Sequence, residues 1–282
     1  MKIFKKNDSL IWRMTKWCNY RCPYCQQSKK AFPNESEILK DAKTLNSMIE
    51  KSQKATDIEM LGGEISYFDL KKILNVLDSK FIKTIKITSN LSNKLEVYKE
   101  LTKDERVNLT GSMHVTQIKD PTAFFENAKF AKSIKVVINP DNINTTIKFI
   151  KNNIKDVDLK KINLTFDNHL SMDDVKKTRT ELLVFLKKYN INLTEEKSTK
   201  YFVEDNNKTE ILTKEEIYNK YNTKNFKGKK CSTYVCFKDG LFYAGSCGER
   251  ATKIIKPTVE PFTDICKGLK NCSLCKIKTI ED

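Results

Sequence analysis

Leu10-Ile11-Trp12-Arg13-Met14-Thr15-Lys16-Trp17-Cys18-Asn19-Tyr20-Arg21-Cys22-Pro23-Tyr24-Cys25 is a strand-like run, Leu10–Thr15, that ends directly in three cysteines. Their spacing is C-x3-C-x2-C, with an aromatic residue before the last. Three thiolates on one short loop can hold three irons of a cubane cluster and leave the fourth iron open to a small molecule. A fully ligated cluster shuttles electrons, whereas an open one can do chemistry. The competing reading is structural zinc. Zinc closes with four ligands, usually as two separated pairs, and no fourth thiol or histidine lies near this triplet.

Outward from this loop, the first two-thirds of the chain alternates short β-rich runs with amphipathic stretches. Glu35–Lys51 places Ile38, Leu39, Ala42, Leu45, Met48 and Ile49 at helical spacing. Strands are expected at Asp57–Leu61, Thr84–Thr88, Arg106–Met113, Ser133–Ile138 and Lys161–Phe166. Between them, helices are expected over Phe68–Leu77, Leu91–Leu101, from Pro121 onward, and over Ile143–Ile154. A last helix is expected over Met172–Tyr189, with Ser171 as its N-cap. Six βα units predict a parallel sheet with helices outside it. Right-handed crossovers curl such a sheet into a partial barrel, whose active-site groups come from the C-terminal ends of strands. The cysteine loop follows the first strand and so sits in that place.

The cysteine motif resembles the signature of radical S-adenosylmethionine (radical SAM) enzymes, and the match covers roughly residues 9–190. The resemblance implies a partial (β/α)6 TIM-like barrel. It also implies a 4Fe–4S cluster on Cys18, Cys22 and Cys25, with S-adenosylmethionine (SAM) bound at the open iron. A flavodoxin- or ferredoxin-type reductant would supply the electron. SAM is then cleaved to methionine and a 5′-deoxyadenosyl radical, which takes a hydrogen atom from substrate.

Gly62-Gly63-Glu64 ends the second strand. Two glycines let backbone approach a ligand, and a carboxylate accepts hydrogen bonds from an ammonium group. The family's Gly-Gly-Glu-Pro stretch holds the SAM amino group here; this chain has Ile65 in place of proline. Thr88-Ser89-Asn90 ends the third strand. The resemblance gives these residues ribose and carboxylate contacts, while Ser89 or Asn90 could instead start the next helix. Ile138 on the fifth strand and Tyr24 in the loop stand where the family meets adenine, and Ile138 reads equally as a core residue. The only two histidines, His114 and His169, fall near strand ends, and Asp167 lies beside the second. These three are the acid/base candidates for the substrate side.

The pattern changes after Tyr189. Residues 1–190 read as the barrel and 191–282 as a small α+β extension. Asn190–Leu212 reads as extended segments turning at Asn206-Asn207. A short helix follows, capped by Thr213 with Glu216 three residues on. Phe237–Tyr243 reads as a hairpin with an Asp239-Gly240 turn. The remaining cysteines are Cys231, Cys236, Cys247, Cys266, Cys272 and Cys275. This layout resembles the twitch and SPASM extensions of radical SAM enzymes, with too few cysteines for a full SPASM set. The resemblance implies one auxiliary 4Fe–4S cluster on Cys231, Cys247, Cys272 and Cys275, with Cys236 and Cys266 as substitutes. Four-cysteine zinc is the rival, because thiolates alone do not select the metal.

Composition narrows the partners. The formal charge is +16, but only five of the 52 basic residues are arginines, and the lysines are spread along the chain. That distribution argues against nucleic acid, for which arginine is the preferred bidentate reader, while leaving room to steer an anionic substrate. No stretch approaches the roughly 18 apolar residues of a membrane span. With nine cysteines and no signal peptide, the expected location is the cytoplasm, with the cysteines binding metal. The leading expectation is hydrogen abstraction with net oxidation, the auxiliary cluster taking the second electron. Peptide modification, such as crosslinking or epimerisation, is the alternative. The start of the chain about eight residues before the first strand leaves no room there for a separate peptide-recognition domain. A non-catalytic Fe–S electron carrier is the reading from another class.

Overall fold

A computed structural model describes residues 2–4, 9–23, 25, 32–138, 140–153, 158–166, 180, 182–185, 187, 194–195, 200–205, 208–213, 230–233, 235–244, 254–259 and 262–265. After β1 (Lys2–Phe4), the chain runs β2 (Ser9–Thr15), α1 (Glu35–Ser52), β3 (Thr56–Gly62), α2 (Leu70–Val76) and β4 (Ile82–Ser89). It continues with α3 (Leu95–Leu101), β5 (Val107–Met113), α4 (Pro121–Ala128), β6 (Ser133–Ile138), α5 (Ile143–Asn152) and β7 (Ile162–Phe166). The later strands are β8 (Thr194–Glu195), β9 (Lys200–Asp205), β10 (Lys208–Thr213), β11 (Lys230–Thr233), β12 (Val235–Lys238), β13 (Leu241–Ala244) and β14 (Phe262–Ile265). Residues 180, 182–185 and 187 are helical, inside the last helix expected from the sequence. The turn at Asn206-Asn207, Ser171 and the helix beyond Thr213 lie outside the described residues.

Strands β2 to β8 pair in sequence order, and the pairs from β2 to β8 are all parallel. This is the mixed α/β, partial TIM-like barrel that the alternating pattern predicts. Its two faces differ. Ile58 and Met60, Ile85 and Ile87, Val107 and Leu109, Ile134 and Val136 are buried and join helix residues such as Ala42, Leu45, Ile73 and Phe124 in one core. The alternate positions, Glu59, Lys86, Thr88, Asn108, Thr110 and Ser112, are polar and half-buried. A parallel sheet covered by helices on both faces reads as continuous apolar runs. Here the alternation keeps the inner face polar, and that face leads up to the strand ends.

Local signals place the helices. Asn34 caps α1 by accepting from the Ser36 N–H, and Asp120 caps α4 ahead of Pro121 by accepting from the Ala123 N–H. Helix α3 begins at Leu95, four residues later than the sequence indicates. Leu91 has φ 57, and the Ser89 and Asn90 side chains accept from the N–H groups of Leu91 and Ser92. These local bonds hold the segment in a turn and delay the helix.

The C-terminal hairpin is as expected, with Asp239 at φ 50 and Gly240 at φ 74 between β12 and β13. Its placement is not. β12 pairs in parallel with β2, Cys236 opposite Ile11 and Phe237 opposite Trp12, so the hairpin extends the barrel sheet. Cys236 is fully buried with Ile11 against Leu61 and Tyr243. Cys236, a substitute cluster ligand by the resemblance, thus sits within the sheet beside β2. No helix among the described residues is long and apolar enough to cross a membrane.

Candidate active site

The C-terminal ends of β2, β3, β4 and β5 meet around a cavity of about 390 Å³. Its lining includes Cys18, Cys22 and Cys25 from the loop after β2, Gly62–Glu64 after β3, Thr88–Asn90 at the end of β4, and Ser112 and His114 at the end of β5. The volume falls in the range of small-molecule sites, roughly 300–1,000 Å³.

The loop rests directly on β3. The Gly63 N–H donates to the Thr15 carbonyl at 3.0 Å and the Glu64 N–H to the Trp17 carbonyl at 2.8 Å. A Cβ on Gly63 would lie 1.8 Å from the Trp17 oxygen, and one on Gly62 2.7 Å from the Thr15 oxygen. The two glycines therefore admit the chain's own cysteine loop.

Glu64 is 0% exposed. Its Oε1 accepts from the Ser66 N–H at 3.0 Å and the Ser89 hydroxyl at 2.8 Å, and its Oε2 from the Asn90 N–H at 2.6 Å. The Ser66 hydroxyl is a fourth hydrogen-bonding partner, so the roughly four acceptor sites of the carboxylate are all taken by the protein. Burial raises its pKa, and the Asn90 and Ser66 N–H groups with the Ser89 and Ser66 hydroxyls oppose the rise. The Tyr98 hydroxyl joins the cluster, 3.2 Å from both Ser89 and Ser66, and burial pushes its pKa up to about 12.

Asn90 follows directly after β4. Its Nδ2 donates to Asn19 Oδ1 at 2.9 Å and lies 3.9 Å from Cys18 Sγ. Asn19 Nδ2 in turn donates to Ser92 Oγ at 2.8 Å and to the Tyr67 hydroxyl at 3.3 Å. Neither Ser89 nor Asn90 caps α3, whose N-cap is Lys94. The left-handed Leu91 beside them costs about 1–3 kcal/mol for a non-glycine residue. It is accommodated because Gly111 on β5 leaves room: a Cβ there would be 2.6 Å from the Leu91 side chain. Asn127 of α4 donates to the carbonyls of Leu91 and Asn93.

Burial pushes the Cys18 thiol up, against the Tyr20 N–H that donates to its sulfur, and the Glu64 and Cys25 charges push it further. Neutral thiols in such a pocket become ligands when a cation compensates them. Among the described residues no three His, Cys, Asp or Glu side chains converge on a single metal ion. A cubane takes one thiolate at each of three corners and needs no convergence on one point. Three thiols around one cavity fit it. His114 Nε2 lies 2.9 Å from Ser112 Oγ, and its ring meets Tyr20 edge-on at 6.1 Å. Burial lowers its pKa to about 4.

No protein-family model matches the chain, and no curated protein matches it in sequence. Solved structures match in fold. Native anSMEcpe with bound AdoMet aligns over 83% of this chain and 73% of its own, at 14% identity and TM-score 0.54. The chain shares the fold of anSMEcpe. The complex of anSMEcpe with AdoMet and the Cp18Cys peptide matches over 83% of this chain and 72% of its own, again at 14% identity and TM-score 0.54. SuiB from Streptococcus suis, bound to S-adenosylmethionine, matches over 66% of this chain and 46% of its own, at 16% identity and TM-score 0.47. The chain thus spans about half the length of SuiB.

Within this fold, the residues singled out from sequence divide into three groups. Cys18, Cys22, Cys25, Gly62, Gly63, Glu64, Thr88, Ser89, Asn90 and His114 come together at the cavity. Ile138 does not: it is 0% exposed in the core facing the helices. The strand alternation that buries it leaves its neighbour Val137 on the inner face. Tyr24, Asp167, His169, Cys247, Cys266, Cys272 and Cys275 lie outside the described residues, and of Cys231 only the backbone, in β11, is described. Sequence reasoning missed Asn19, Tyr67, Ser92, Ser112 and Gln117. Gln117 accepts the Arg21 N–H at 2.9 Å, tying the cysteine loop to the loop after β5. Only the polar alternation of β5 pointed to Ser112; Asn19, Tyr67, Ser92 and Gln117 had no signal, since single polar residues in loops are common.

Proposed function

We propose that the protein is a radical SAM enzyme that abstracts a hydrogen atom from a peptide or small-molecule substrate. One observation carries this: three cysteines, the glycine pair, the β4 end and a histidine all line a single cavity at the C-terminal edge of a parallel barrel sheet. Cys18, Cys22 and Cys25 would hold a 4Fe–4S cluster, which when bound supplies the electron that splits SAM into methionine and a 5′-deoxyadenosyl radical. The backbone of Gly62–Gly63 and the polar groups of Thr88 and Asn90 border the space for SAM, and Val137 is the apolar neighbour on the inner face. His114 stands at the substrate side. With a lowered pKa it is a neutral imidazole at pH 7, able to accept a proton as a substrate radical is oxidised. A peptide substrate gains support from anSMEcpe, which shares the fold and binds the Cp18Cys peptide. Net oxidation, an auxiliary cluster on Cys231, Cys247, Cys272 and Cys275, and a flavodoxin- or ferredoxin-type reductant complete the reading.

The test is anaerobic reconstitution followed by incubation with SAM and dithionite. The enzyme reading expects 5′-deoxyadenosine, lost when Cys18, Cys22 and Cys25 are replaced by alanine. With two clusters, iron should be about eight per chain and fall to about four in that variant. Iron that cycles between oxidation states with no deoxyadenosine would favour an electron carrier.

A further inference from the structure

The end of β4 is held more firmly than a sheet edge requires. The Asn90 N–H is fixed by the buried Glu64 carboxylate, the Leu91 N–H by the Ser89 hydroxyl, the Ser92 N–H by the Asn90 side-chain Oδ1, and the Leu91 carbonyl by Asn127. Leu91 is left-handed at φ 57 within this cage. Strain kept in place by so many bonds points to a side chain that must be aimed. The side chain so aimed is that of Asn90. Its amide donates to Asn19 Oδ1 at 2.9 Å and faces Cys18 Sγ at 3.9 Å, the outer limit for a hydrogen bond to sulfur.

We infer that Asn90 is a positioning residue for the first cysteine: it latches the cysteine loop to β4 through Asn19 and directs an N–H at the Cys18 sulfur, raising the reduction potential of the iron–sulfur group held there. The inference rests on the proposed cluster at Cys18, Cys22 and Cys25. Hydrogen bonds to cluster sulfurs are among the levers that set cluster potential, and outer groups that orient a ligand tune the metal it holds. The Tyr20 N–H, 3.4 Å from the same sulfur, is a second donor supplied by the backbone. Glu64 acts one step further out, since it fixes the backbone from which Asn90 projects.

The experiment is an EPR-monitored redox titration of the reconstituted full chain, with iron counted in each sample. Asn90→Ala should keep the motif cluster and move its midpoint potential to a more negative value. Asn19→Ala removes an oxygen 3.9 Å from the Cys18 sulfur but leaves the Asn90 amide facing it, and should move the potential less. Asn90→Ser is the safeguard for folding: its hydroxyl can still accept the Ser92 N–H but is too short to reach Cys18, and it should shift the potential as alanine does. Wild-type potential in Asn90→Ala or Asn90→Ser with iron retained overturns the inference while leaving the radical SAM reading intact. An equal shift in Asn19→Ala overturns the direct contact to sulfur. A wild-type protein that takes up no cluster at the three cysteines overturns both.

Discussion

Gly63 lies directly under the carbonyl of Trp17, so close that a Cβ on the glycine would stand 1.8 Å from the oxygen. Nothing on the opposing side is a flexible side chain tip; the neighbour is backbone of the cysteine loop. Gly63→Ala must therefore lift the loop off β3 and break the Glu64 N–H to Trp17 bond. The barrel core is remote from this contact. The variant should fold, with a loss of about 1–3 kcal/mol typical of overpacking, and should fail to retain iron at the motif cysteines. Circular dichroism and iron analysis on the same sample check this, and full iron occupancy would contradict it.

Glu64 gives a contrasting case. Removing its carboxylate leaves the Ser66 N–H, the Ser89 hydroxyl and the Asn90 N–H without their acceptor in a fully buried place. Glu64→Ala should cost about 3 kcal/mol or more, because buried donors lose a charged partner. Stability and SAM affinity should fall together. A 10–100-fold loss of SAM affinity at unchanged Tm would show instead that the carboxylate is reserved for the SAM ammonium group.

The barrel was legible because its signal is periodic: apolar residues recur every second position in β3 to β6 and at helical spacing in α1. The cysteine loop was legible because thiolates are rare and their spacing is specific. The glycine pair was legible only in part. A glycine pair announces close approach but not by what, and here the visitor is Trp17 and Thr15 of the same chain. Ile138 lies in the core because a strand's alternation decides which face a residue takes, and a one-residue difference separates core from cavity. The parallel pairing of β12 with β2 joins residues more than two hundred positions apart, and no local pattern encodes it.

That pairing brings the Asp239-Gly240 turn against α1, where Asp41 accepts the Gly240 N–H. Burial raises the Asp41 pKa to about 6, with Asp239 and Glu37 adding repulsion. A carboxyl whose pKa is higher folded than unfolded resists ionisation in the native state. Its penalty is absent below about pH 4 and grows as pH rises through about 6. Asp41→Asn keeps an acceptor for Gly240 and removes the charge. At pH 8 it should be the more stable protein by about 1 kcal/mol, after allowing for solvent screening at this half-buried site. At pH 4 the two should melt alike. Paired thermal melts at both pH values check this, and a gap of the same size at each would mean that the Asp41 charge is not its source.

His114 carries the most direct prediction about chemistry. It sits at the end of β5, its Nε2 2.9 Å from Ser112 Oγ, on the cavity that also holds the three cysteines. Burial lowers its pKa to about 4, so protonation is avoided across the neutral range and the ring is available as a base throughout. Product yield per deoxyadenosine should therefore be level between pH 6 and 8, without the inflection near 6.5 that an exposed histidine would give. His114→Ala should still cleave SAM but form less product per deoxyadenosine, by roughly 10²-fold if the imidazole takes the substrate proton. Ser112→Ala should show a smaller loss, since it orients the ring without receiving the proton. A histidine variant with unchanged coupling would move the proton acceptor away from β5.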